Sequence, residues 1–215
     1  MGREAGGGSA AGWTRAERKT LAGLDSPVAI QAFLDAVEYG ADPFYRSPRS
    51  ILRDRRAQCF DGAVFAAAAL RRLGDRPGIV DMRAVNDDDH VVAVFRRGAG
   101  LGAVAKSNFV GLRYREPVFR TVRELMLSYF EDFYNVAREK TLRAYSVPLD
   151  LAAFDHLAWE TDDGALEVIA VRLDSARHFQ VLSRRQARGL APVDERRYVS
   201  GLFGSNPDGL YKPKA

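Results

Sequence analysis

Cysteine is nearly absent from this 215-residue chain: Cys59 stands alone, and there are only three histidines. One cysteine closes no internal disulfide, and no Cys/His cluster has zinc-ligand spacing, so neither staple is expected. A lone thiol fits a reducing compartment, and a cytoplasmic location is expected. No apolar run is long enough to span a bilayer, and the Gly/Ala-rich start lacks the apolar core of a signal peptide, so no membrane association is expected. A dominant charge is missing too. The 32 basic and 28 acidic residues leave a net +4, interspersed as in Arg53-Asp54-Arg55, whereas nucleic-acid binders gather basic residues on one face or tail. Nucleic acid is therefore not an expected partner. Internal repeats and a domain-separating linker are likewise absent.

What remains is an ordinary globular composition, 47% hydrophobic and 28% charged, on a chain long enough to bury one core. Residues 1–13 read as a flexible arm, 14–183 as the folded domain and 184–215 as a basic extension. Thr14-Arg15-Ala16-Glu17 and Thr121-Val122-Arg123-Glu124 are capping boxes that start helices. Ser26-Pro27 and Ser47-Pro48 are N-cap and N1 pairs, the first opening a helix that Gly40 closes. A helix from Cys59 ends at Leu73-Gly74. Strands are expected over 79–85, 90–96 and 101–106, the last two joined as a hairpin through Gly98-Ala99-Gly100, and again near 142–147, 166–173 and 179–182. The order gives an α+β fold.

Cys59 stands where the polar approach Arg53-Asp54-Arg55-Arg56-Ala57-Gln58 becomes an apolar, small-residue helix. A thiol at a helix N-terminus lies beside unsatisfied backbone N–H groups and the positive end of the helix dipole, which favour thiolate. The plain alternative is a small buried hydrophobe, the commonest role of a free cysteine. His90 opens the strand Val91-Val92-Ala93-Val94-Phe95, after Asp87-Asp88-Asp89. Nucleophile helix followed by a strand-borne imidazole is the outline of a Cys–His pair, in which the imidazole takes the thiol proton and later protonates the leaving group. His156 and His178 are the competing bases, neither at the open end of a clear strand.

These segments resemble the bacterial transglutaminase-like superfamily, which shares the Cys-His-Asp logic of papain-type thiol enzymes. The resemblance rests on Gln58-Cys59-Phe60-Asp61-Gly62-Ala63, on Asp88-Asp89-His90-Val91-Val92-Ala93-Val94, and on Gly102-Ala103-Val104-Ala105-Lys106-Ser107-Asn108. It covers roughly residues 48–110. It implies a papain/transglutaminase-like core with the nucleophile helix packed on an antiparallel sheet, and a hydrolase or acyltransferase for an amide, ester or thioester carbonyl. The substrate would be a peptide or small acyl compound, with no metal or organic cofactor. One departure stands out: Ala105 occupies the place of the family's orienting aspartate. Strand parity favours Ser107 as the replacement and chemistry favours Asn108, with Asp61 or Asp89 also open. Gln58, Lys106, Arg113 and Arg115 are the candidate substrate-binding residues, the arginines through bidentate bonds to a carboxylate or phosphate. The alternative function is a catalytically degenerate binding or scaffold protein on the same frame.

Overall fold

Small side chains let one helix settle on a sheet. In the computed structural model, which describes residues 12–211, the chain runs through α1 (Arg15–Ala22), α2 (Pro27–Asp35), β1 (Glu38–Tyr39), α3 (Pro48–Asp54), β2 (Arg56–Ala57) and α4 (Cys59–Arg72). It continues through β3 (Gly78–Ala84), β4 (His90–Arg97), β5 (Gly100–Val104), β6 (Arg115–Phe119), α5 (Val122–Leu127), β7 (Leu142–Ser146) and β8 (Leu149–Asp150). Last come α6 (Gly164–Asp174), β9 (His178–Gln180), α7 (Arg184–Arg188) and α8 (Glu195–Gly201). Every residue of α4 from Phe60 to Leu70 is buried, and its run of alanines leaves room for the helix to pack closely against the Val91, Ala93 and Phe95 side chains of β4.

The main sheet is antiparallel in the order β6-β5-β4-β3-β7-β9, with β8 beside β3; β1 and β2 form a short parallel pair. Helices plus an antiparallel sheet give the α+β class. Alternation along β4 divides its side chains between two cores. Val91, Ala93 and Phe95 pack with α4, α2 and α6, while Val92 and Val94 pack on the other face with Met126, Tyr129 and Phe133.

Most helix starts follow the sequence signals. Thr14 and Thr121 close capping boxes with Glu17 and Glu124, and Ser26 and Ser47 accept N–H bonds from Ala29 and Ser50 ahead of their prolines. The β4–β5 hairpin turns at Gly98, whose φ of +57° is left-handed and suits glycine.

Two expectations are corrected. The segment expected as a strand over 166–173 is α6, because Leu166, Ile169 and Leu173 share a buried face at helical spacing while Val168 and Val171 face solvent. Helix α2 stops at Asp35, well before Gly40, and the Lys106 ammonium then takes the carbonyls of Leu34 (2.9 Å) and Val37. Of the expected arm, residues 1–11 lie outside the described residues, and Trp13 is buried beneath the guanidinium groups of Arg49 and Arg72. The segment from residue 184 carries α7 and α8, with Val193 buried and Gly201 packed on the Tyr134 hydroxyl. No described helix is long and apolar enough to cross a membrane.

Candidate functional site

Cys59 is the first residue of α4, with Gln58 as its N-cap. The buried Asp61 fixes that helix start: one carboxylate oxygen accepts the Gln58 N–H (3.2 Å) and the other the Arg46 N–H (3.0 Å). Gly62 is required next, since a Cβ there would lie 2.2 Å from the Cβ of Lys106. The half-buried Cys59 donates its S–H to the Asp89 carbonyl at 3.7 Å.

The thiol is held protonated. Burial is the largest cause and, with the charges of Asp61 and Asp81, pushes it up to about 12, against the opposing N–H groups of Val91 and Phe60. The helix-terminus effect invoked from the sequence is present but outweighed. A helix end contributes roughly 0.3–1 kcal/mol at an exposed site, under one pKa unit, whereas burial moves a group by up to about 3–5 units.

His90 does not face this thiol. It shares the sheet face of Val92 and Val94, one residue out of phase with Val91, which lies on the Cys59 side. Its Nε2–H donates to the Leu112 carbonyl at 2.8 Å, and its ring meets Phe133 edge-on at 6.3 Å. Burial lowers it to about 4, so it is a neutral core histidine. The expected Cys59–His90 pairing is corrected accordingly, and with it the need for an orienter.

The candidate orienters have other work. Ala105 is buried in the far core, and the Gln31 amide takes both its N–H (3.1 Å) and its C=O (2.9 Å), extending the β5 ladder with a side chain. Ser107 Oγ accepts the Phe109 N–H at 3.0 Å. Asn108 holds the backbone of Asn206, accepting its N–H at 2.7 Å and donating to its C=O at 2.8 Å. Asp89 spends one oxygen on the Ala84 N–H at 2.7 Å.

The substrate-binding candidates divide. Gln58 lines a cavity of about 390 Å³ with Cys59. Lys106 and Arg113 line an adjoining cavity of about 620 Å³, Arg113 paired to Asp35 at 3.2 Å and Lys106 lowered to about 8 by burial. Arg115 is a clamp in neither: it donates to Ser128 Oγ, to the carbonyls of Tyr114, Gly111 and Ser128, and stacks 4.0 Å from the Tyr129 ring centroid.

On the Cys59 face stand Asp81, not singled out from the sequence, and His178, weighed there only as a competing base. Asp81 pairs across the sheet with Val91, so both point toward α4. Its Oδ2 lies 2.9 Å from Nε2 of His178, whose Nδ1–H donates to the Ala176 carbonyl. Burial raises the Asp81 carboxyl and the His178 contact opposes it. An acid inside the apolar run Gly78-Ile79-Val80-Asp81-Met82 was the signal available in the sequence. His156 is exposed.

The cavity over Cys59 is acidic. Its walls include Asp42, Asp81, Asp88, Asp89, Asp174 and Asp208, with no lysine or arginine among the described residues. Burial raises both Asp88 and Asp89; the Asp89 charge raises Asp88 further, while on Asp89 the Ala84 N–H, Arg83 and His178 oppose burial and Asp174 adds to it. Among the described residues no three His, Cys, Asp or Glu side chains form a metal-ligating group.

The sequence matches no family model and none of the curated proteins with which it was compared. Among solved structures, Legionella pneumophila LapG (EGTA-treated) is similar at 14% identity, covering 74% of this chain and 86% of that one with a TM-score of 0.38.

Proposed function

We propose that this chain is a binding protein on a thiol-enzyme-like frame, whose cleft over Cys59 takes an organic cation. The observation that carries this reading is the wall of six aspartates around a protonated thiol, without a basic residue among the described lining. Asp42 is paired with Arg46 and Arg56 and Asp81 with His178 and Arg83, so the charge open to a ligand is that of Asp88, Asp89, Asp174 and Asp208. Carboxylates crowded in a half-closed cavity repel one another, and an ammonium or guanidinium group relieves that repulsion on entering. The walls suit an organic cation better than a metal ion, because among the described residues no three His, Cys, Asp or Glu donors converge. Titration with agmatine, which carries both groups, tests this. Agmatine should raise the melting temperature in proportion to the logarithm of its concentration, less so at high salt and less so in Asp88→Asn or Asp174→Asn. No shift at millimolar agmatine in low salt defeats the reading.

A thiol-dependent hydrolase or acyltransferase is the second reading, favoured by one specific observation: the Asp81–His178 pair stands on the Cys59 face of the sheet. There the pair, and not His90, would accept the thiol proton once a cationic substrate offsets the carboxylates that now disfavour thiolate. This reading requires agmatine to accelerate alkylation of Cys59 by iodoacetamide. The binding reading alone requires no such acceleration.

A further inference from the structure

The segment after α8 lies across the groove formed by the two adjoining cavities. Asp208 lines both, and Leu210 lines the one over Cys59. Its hold is a matched one. The carboxamide of Asn108, itself 8% exposed, meets both backbone polar groups of Asn206, as one peptide unit meets another in a ladder. Asn206 Nδ2 in turn donates to the Tyr39 carbonyl at 3.0 Å. Gly209 then presses on the Tyr39 ring so closely that a Cβ would lie 2.6 Å from Cδ1.

Nothing in the Asn108 contact reads a side chain: any residue other than proline offers the same N–H and C=O. The surroundings of Asn206 are therefore a peptide-backbone subsite that this chain fills with itself. We propose that the groove is a polypeptide-binding site held closed in cis by residues 203–210, that Asn108 is its backbone-reading residue, and that an incoming peptide segment takes the strap's place. A tethered occupant has an effective concentration on the order of millimolar, so a free peptide competes poorly until the strap is released. The inference does not rest on the cationic reading of the Cys59 cleft, since the Asn108 contact is to uncharged backbone.

The test uses the full chain and a fluorescein-labelled synthetic peptide copying residues 203–211. Gly209→Val introduces the forbidden Cβ and frees the strap while leaving Asn108 and Tyr39 in place. By fluorescence anisotropy the peptide should bind Gly209→Val at least about tenfold more tightly than wild type, and lose that gain when Asn108→Ala is added. Equal binding to wild type and Gly209→Val, or an undiminished gain without Asn108, overturns the proposal. Hydrogen exchange in the wild-type protein supplies a readout independent of any variant's folding. The Asn206 amide should exchange through local opening, at least about tenfold faster than the β3–β4 ladder amides. Protection equal to that ladder overturns the releasable strap.

Discussion

His90 and Val91 are neighbours in the chain and stand on opposite faces of the sheet; only Val91 reaches the Cys59 side, where its N–H is turned toward the sulfur. This single-residue phase decides how the site is read. A histidine whose Nε2–H is spent on the Leu112 carbonyl, with its pKa lowered to about 4 by burial, supports the core and not the thiol.

Its titration should therefore appear in stability. The unfolded chain takes up the proton near 6.5 while the folded chain resists it until about 4, so His90 contributes stability above pH 6.5 that is lost as pH falls toward 4. Urea denaturation of wild type and His90→Phe from pH 7.5 to 4 should show their difference shifting by about 3 kcal/mol against wild type on acidification. Taking the difference cancels the buried carboxyls, which act in the opposite sense.

Asp81 and His178 form a buried contact at 2.9 Å, with side chains 3% and 6% exposed. Removing one partner leaves a buried polar group unmatched and should cost about 3–5 kcal/mol. Asp81→Asn and His178→Leu together should cost less than the sum of the two, by more than about 0.5 kcal/mol in a double-mutant cycle. Additive losses would show that the pair is not coupled.

Asp61 satisfies two backbone N–H groups at the start of α4. Asp61→Ala strands both, and urea unfolding should register a loss of about 2–3 kcal/mol, which Asp61→Asn, keeping one acceptor, partly restores. Gly62→Ala is expected to be as damaging for a steric reason, the 2.2 Å approach to Lys106 Cβ.

Much of the scaffold was legible because its signals are local. Capping boxes, Ser-Pro starts and the Gly98 turn are decided within four residues, and the structure follows them. The buried stretch of α4 was equally plain in its alanines. The 166–173 segment failed as a strand because Leu166, Ile169 and Leu173 fit a helical face as well as an apolar run. The site was harder to read, since it depends on strand phase and on distant partners. Whether His90 or Val91 faces α4 depends on how β4 pairs with β3, and Asp81 meets a histidine 97 positions away. Asn108 was selected for its carboxamide, and that chemistry is used, but on Asn206. Nothing near Asn108 in the sequence announces a partner 98 residues downstream.

The central claim is that Cys59 is a protonated thiol not served by His90, and the pH profile of its alkylation by iodoacetamide tests it most directly. The rate in the ligand-free protein should stay below that of a free cysteine at pH 7 and keep rising beyond pH 9 without a plateau, unchanged in His90→Ala variants that remain folded. A plateau reached by pH 7, at a rate above that of free cysteine and abolished by His90→Ala, would contradict the account and restore the Cys59–His90 pair.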